Sequence, residues 1–213
     1  MNVAIFGANG DTGRLLTRRC LTAGDPVTAL LRTPAVFPYE DRVHVVQGDA
    51  FDRTAVRKTV GSADVVFSTL GAHSPFRNEN VLPRAVPLII EAMRQSGMRR
   101  IIVLGSAGAL RNSLRNQPAW RRWIVETIVY RTVLKWPVLE QVAQYKLLSA
   151  SDLDWTMVMA PMLTNGHARK DYRVDGEALP RNGSRISRED VADFMMLQIN
   201  DEQWVRKGVY IAY

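Results

Sequence analysis

The stretch Gly7-Ala8-Asn9-Gly10-Asp11-Thr12-Gly13 follows a short apolar run, Val3-Ala4-Ile5-Phe6, and leads into an amphipathic recurrence at Leu15-Leu16 and Cys20-Leu21. Apolar run, glycine turn and helical spacing in that order read as strand, tight turn and helix. A pyrophosphate is doubly anionic and must meet backbone N–H groups at a helix N-terminus, whose partial positive charge favours it. Only glycine lets the turn come that close, so Gly7, Gly10 and Gly13, with Asn9, Asp11 and Thr12 between them, are candidate dinucleotide contacts. Glycine clusters also make plain turns, and the strand before and helix after are what favour the phosphate cradle. Asp11 would repel a phosphate unless turned away, so a capping role at the helix start is expected of it.

Outward from this turn, Gly24-Asp25-Pro26 stops the first helix and Val27 to Leu31 reads as a second buried strand, set parallel to the first by a right-handed crossover. The alternation continues with a strand from Val43 to Gln47, a short helix from Arg53 to Val60 and a strand from Asp64 to Ser68. A longer helix then runs to Gly97, with a strand from Arg100 to Gly105 after it. Apolar runs without in/out alternation fit parallel strands covered on both faces, which predicts an α/β, doubly wound parallel sheet of Rossmann type with a small C-terminal substrate-side extension. Pro83 and Pro87 each remove a helical hydrogen bond, so the helix before Gly97 is expected to start near one of them. Later, Leu153 to Met159 reads as a strand, Ser187 with Asp190 as the start of a helix reaching Ile199, and Gly208 to Ile211 as a closing edge strand. One dinucleotide-binding domain over 1–213 is expected, its substrate-side elements mainly within 110–190.

The strand ends carry the remaining chemistry. After the second strand, an NAD-specific protein places Asp or Glu to bind the ribose 2′-hydroxyl; here the strand ends Leu30-Leu31-Arg32-Thr33 with no acid. A guanidinium matches a 2′-phosphate in charge and shape, so Arg32, with Arg14 as a second contact, favours NADP(H) over NAD(H). The alternative is a solvated strand-end arginine. Asp49 follows Gly48 at the next strand end, and Thr69-Leu70-Gly71 end the fourth in small residues suited to a cofactor crossing there. Ser106 ends the fifth strand, where a hydroxyl could donate to developing negative charge; it is the catalytic candidate, against a serine that merely bonds backbone.

The G-x-x-G-x-x-G spacing and these strand ends resemble the short-chain dehydrogenase/reductase superfamily, in its extended and atypical branches. Leu153 to Pro161 resembles the late strand closing in a proline, and Ile186-Ser187-Arg188-Glu189-Asp190-Val191-Ala192 the late helix start, of the NmrA-like group and its small flavin reductase/biliverdin-IXβ reductase relatives. The resemblance implies that Asp49 faces adenine, that Ser106 sits by the nicotinamide and substrate carbonyl, and that Pro161 and Met162 lie beside the nicotinamide. The chain also departs from that pattern: Met162 follows Pro161, histidines that the resemblance would allow near the substrate are few, and the tyrosine–lysine pair is missing. Tyr-x-x-x-Lys is absent: Tyr39, Tyr130, Tyr145 and Tyr172 are followed at that spacing by Val43, Leu134, Ser149 and Gly176. Tyr145 and Lys146 are adjacent, about 100° apart on a helix, and cannot replace the pair, though Lys146 remains a candidate for a ribose or phosphate. His44, His73 and His167 are the only histidines. An NADPH-dependent reductase of a flat conjugated acceptor, such as flavin, a biliverdin-like tetrapyrrole or a quinone, is therefore expected, with a non-catalytic NADP(H) sensor of the NmrA type as the alternative. An epimerase or dehydratase comes third, since the tyrosine–lysine pair is missing.

Composition agrees with a globular protein: 213 residues, 46% hydrophobic and 23% charged. No basic leader or apolar segment precedes Val3, no transmembrane stretch is evident, and the lone Cys20 fits a reducing compartment, so a cytoplasmic location is the expectation. The net charge of +7 invites a nucleic-acid partner, but its distribution argues against one. Arg111, Arg115, Arg121, Arg122, Arg131 and Lys135 face the single acid Glu126, so residues 111–135 alone supply +5. With Trp120, Trp123 and Trp136 interleaved, this segment suits an acidic partner or a membrane surface. The preferred expectation is an ordinary helix with its tryptophans packed inward and its arginines solvated. A third possibility places it over the substrate pocket. No carboxylate pair, Ser-His-Asp set or metal-ligand spacing stands out.

Overall fold

A computed structural model describes every residue except His73, Pro75 and Arg111, so the expectations touching His73 and Arg111 lie outside the described residues. Strands β1 (Val3–Phe6), β2 (Val27–Leu31), β3 (His44–Gln47), β4 (Val65–Ser68), β5 (Arg100–Ser106) and β6 (Asp154–Ala160) are parallel and lie in the order β3-β2-β1-β4-β5-β6. That order reverses direction between β1 and β4, the switch point outside which ligands bind in doubly wound sheets. The short β7 (Met162–Thr164) and β9 (Arg185–Ser187) pair with each other. β8 (Arg173–Asp175) lies antiparallel to β10 (Lys207–Ala212), and β10 in turn runs parallel to β6. The final strand is thus interior, not the expected edge, because β8 adds outside it.

Every residue of β1 and β4 is buried, as strands covered on both faces require. Alternate residues feed two cores. Phe6, Leu30, Val66, Ile101, Met157 and Tyr210 pack on one face under helices α2 (Arg53–Val60), α3 (Val81–Gln95) and α5 (Lys135–Ser149). Ile5, Ala29, Phe67, Ile102, Val158 and Ile211 pack on the other, under α1 (Asp11–Thr22) and the late helix Arg188–Leu197. Cys20 is buried in that second core, where burial pushes its thiol up to about 12.

α3 starts near Pro83, as expected, two residues before it. Pro83 falls in its first turn, where its missing N–H is no loss, and Pro87 sits inside the helix on its exposed face. Between β5 and α5 the chain forms a short helix, α4 (Ala119–Ile124), that runs on as one wide π turn over Val125–Val129. The inward packing expected for its tryptophans fails: Trp120 and Trp123 are 67% and 61% exposed, while Val125 and Tyr130 face the core. The late helix, α6 (Arg188–Leu197), begins as expected at Ser187, whose Oγ accepts from the Asp190 N–H at 3.0 Å. No described helix is long and apolar enough to cross a membrane.

Candidate functional site

At the switch point the ends of β1, β2, β4, β5 and β6 open into one cleft of about 850 Å³. Its floor is the glycine turn. Gly7 has φ +80°, a conformation side chains rarely adopt, and a Cβ there would lie 2.8 Å from the Thr69 backbone. A Cβ on Gly13 would lie 2.1 Å from the Gly7 carbonyl oxygen, so Gly13 lets α1 pack directly on the turn. Gly10 differs: among the described residues the one heavy atom within 4 Å of its Cβ position is the Gly7 carbonyl oxygen, at 3.3 Å, so the fold constrains it less than Gly7 or Gly13, and its bare face lines the cleft. Thr69 braces the turn, its N–H donating to the Phe6 carbonyl at 2.9 Å and its hydroxyl to the Gly7 carbonyl at 3.0 Å. Cradle and helix start together fit a dinucleotide pyrophosphate.

The cleft is lined by Gly7, Asn9, Gly10, Asp11, Thr12, Gly13, Arg32, Asp49, Thr69, Leu70, Gly71, Ser106 and Pro161. Met162 is not among the lining residues. It starts β7 and is largely exposed, because pairing with β9 draws the chain away immediately after Pro161. Asp11 does not cap α1, whose N-cap is Gly10 with no side-chain bond; its carboxylate turns instead to the Arg188 guanidinium, 3.4 Å away. Asn9 Oδ1 accepts from Arg14 Nε at 3.0 Å and Nη2 at 2.7 Å, which holds Arg14 beside the turn but out of the cleft lining. Asp49 Oδ1 accepts from the Phe51 N–H at 3.0 Å, so the carboxylate is fixed at the rim near Arg32. Lys146 is exposed and outside the cleft, and Tyr145 packs edge-on against Trp155 in the core.

Ser106 pairs in register with Ala160, so its hydroxyl lies across from Pro161 at the far end of the cleft. Its Oγ accepts only a long bond from the Gly108 N–H at 3.4 Å, leaving the hydroxyl proton uncommitted to backbone. Among the lining residues that the sequence did not single out are Glu79, Gln141 and Arg188. Gln141 of α5 reaches this end, with its Oε1 accepting from Gln144 Nε2 at 3.2 Å; Gln144, fully buried, also donates to the Leu104 carbonyl at 3.2 Å. With its oxygen engaged by Gln144, the Gln141 amide keeps its Nε2 hydrogens as donors. Arg188, at the first position of α6, also bonds Asn165 Oδ1 at 2.7 Å and brings a cation to the phosphate cradle.

Arg188 is positioned by the network behind it. Asp190 is fully buried and accepts from the Arg169 and Lys170 N–H groups, both at 2.9 Å, from Ser187 Oγ at 2.9 Å and from the Tyr213 hydroxyl. Burial alone would raise its pKa, but these donors outweigh it and hold the carboxyl below the usual aspartate range. Among the described residues no group of His, Cys, Asp or Glu is arranged to hold a metal ion.

Comparison with known proteins follows the same lines. A structure of a putative exported protein from Burkholderia pseudomallei superposes with TM-score 0.80 at 26% identity, covering 100% of both chains. ChuY, an anaerobillin reductase from Escherichia coli O157:H7, superposes with TM-score 0.81 at 20% identity over 100% of this chain and 97% of that one. A short-chain dehydrogenase/reductase (wide type) from Veillonella parvula, solved in complex with NADP, gives 0.78 at 23% identity over 100% and 94%. An uncharacterised protein of Mycobacterium tuberculosis H37Rv is 32% identical over 110 residues, 50% of this chain but 12% of its own length, so the match spans about an eighth of that larger protein. The resemblance read from the glycine turn and strand ends is matched by these neighbours, which share its Rossmann-type fold. Residues 7–202 match the NAD(P)H-binding family, and the chain belongs to that family.

Proposed function

We propose that the chain is an NADPH-dependent reductase of a flat conjugated acceptor such as a flavin, a biliverdin-like tetrapyrrole or a quinone. The observation that carries this is the composition of the cleft's far end. Leu104, Gly105, Ser106, Gln141, Ala160, Pro161 and Leu163 line it with apolar surface and with hydroxyl and amide donors; the half-buried Glu79, just before α3, also lines the cleft, its carboxylate accepting from the Ser74 N–H at 3.1 Å. Such a wall accepts an apolar, planar molecule and offers hydrogen bonds to its carbonyls. Bound NADPH supplies the hydride. Ser106 and Gln141 orient the acceptor, the glycine turn and Arg188 hold the pyrophosphate, and Arg32 holds the 2′-phosphate. That the fold neighbour ChuY is an anaerobillin reductase supports the choice of acceptor class.

The direct test is loss of NADPH absorbance with FMN, biliverdin or a quinone, each supplied separately. Turnover with at least one is expected, and tight NADPH binding with no turnover on any would replace this proposal with a non-catalytic NADP(H) sensor. Two variants divide the roles. Arg32→Ala should weaken NADPH binding at least about tenfold and NADH binding less than about twofold, by fluorescence titration. Gln141→Ala should lower kcat/KM for the acceptor about tenfold, the worth of one hydrogen bond at a reacting site, with the NADPH Kd unchanged.

A further inference from the structure

From α4 through the π turn, Trp120, Trp123, Ile124 and Ile128 recur at i, i+3, i+4 and i+8, and all four are exposed; Val133 and Leu139 extend the apolar surface toward α5. Side chains of this size exposed together are uncommon on a free globular surface. Cations surround them. Arg122, Arg131 and Lys135 are exposed and make no ion pair among the described residues, and Arg121 is half-buried against Gln117 and the Gly183 carbonyl. Arg115 is the exception, already paired with Glu177. The one acid between 112 and 135 is Glu126.

We infer that this face docks on an anionic lipid surface. Charge decides against a second copy of the chain, since a symmetric contact would bring Arg122, Arg131 and Lys135 against their own duplicates. The described residues of 112–135 line neither the dinucleotide cleft nor the cleft beside Asn2 and His44, and no residue of α4 or of the π turn is buried, so the segment stands on the surface as a ridge. A ridge with an apolar crest and cationic flanks matches a bilayer interface: the indole rings and isoleucines enter at the acyl boundary while the guanidinium and ammonium groups stay level with the phosphates. Val125 and Tyr130 anchor the opposite side of the segment in the core, so docking needs no unfolding.

The test is flotation of the full chain with vesicles of phosphatidylcholine alone and of equimolar phosphatidylcholine and phosphatidylglycerol. Binding to the anionic vesicles is expected, with a blue shift of tryptophan emission and weakening as salt is raised. Trp120→Ser with Trp123→Ser should cut the partition at least about tenfold. Charge neutralisation at Arg122, Arg131 and Lys135 should cut it about fivefold per cation. Retained NADPH affinity shows that both variants are folded. The inference is overturned by no binding to anionic vesicles, by equal binding to neutral ones, by a tryptophan variant that binds like the parent, or by vesicle-independent self-association through this face.

Discussion

Gly10→Val is expected to raise the NADPH dissociation constant about a hundredfold or more while lowering the melting temperature far less than Gly13→Val does. Gly10 has extended backbone angles that any residue adopts, φ −73° and ψ 164°, and its absent Cβ would meet only the Gly7 carbonyl oxygen, at 3.3 Å. A side chain there asks the turn to give by only a few tenths of an ångström, and the branched methyls would fill the space above the first N–H groups of α1. A pyrophosphate lifted off that cradle loses several charge-assisted hydrogen bonds, and about 3 kcal/mol corresponds to roughly a hundredfold. Gly13→Val should do the reverse in kind, lowering the melting temperature, because its Cβ would collide with the Gly7 carbonyl at 2.1 Å and with Ala8 at 2.8 Å. Gly166→Ala, whose nearest neighbour is 3.9 Å away, should change neither quantity. Titration of NADPH fluorescence beside thermal unfolding separates the cases, and a Gly10→Val protein that binds like the parent refutes the assignment of the turn.

Asp190→Asn should cost about 2–3 kcal/mol of stability, the range for hydrogen bonds to a charged group, and lower the melting temperature by about 5–10 °C for a chain this size. The carboxylate collects two backbone N–H groups from 169 and 170, the Ser187 hydroxyl and the Tyr213 hydroxyl, and the amide can accept fewer of them and places its own donor among donors. The pH dependence follows from the same contacts. Because the folded-state pKa is depressed, the stabilisation is complete above the unfolded aspartate range, near pH 4, and is lost as pH falls through the lower folded value. The parent should therefore lose stability steeply in acid and the asparagine variant less so, measured as the denaturant midpoint against pH. Since Asp190 fixes the start of α6, NADPH affinity should fall as well, through displacement of Arg188.

Most of the architecture was written in short-range signals. β1 to β6 stand out as apolar runs between turn residues, and the Ser187 cap is visible because capping is decided within three residues. β7, β8 and β9 are three residues each, too short for any period to register, and without β8 nothing distinguishes an interior β10 from an edge. The glycine turn declares itself by spacing. Arg188 and Gln141 do not: each reaches the cleft from a helix far along the chain, and only the crossovers that stack α5 and α6 on the sheet bring them there. The Asp11 carboxylate escapes local reading for the same reason, its partner Arg188 being 177 positions away in sequence. The exposed tryptophans of α4 follow from the π turn, which rotates Val125 and Tyr130 inward and leaves Trp120 and Trp123 outside.

The interior position of β10 also sets an order in time. During synthesis β1 to β6 emerge first and already form a cofactor-side sheet, yet β6 keeps an open edge and β8 has no strand to join until residues 207–212 leave the ribosome. Only then does Tyr213 reach Asp190, and only then is the start of α6 locked with Arg188 over the glycine turn. A nascent chain arrested before residue 207 would expose two unpaired strand edges, a template for aggregation, so binding competence and protection from misassembly arrive in a single late step.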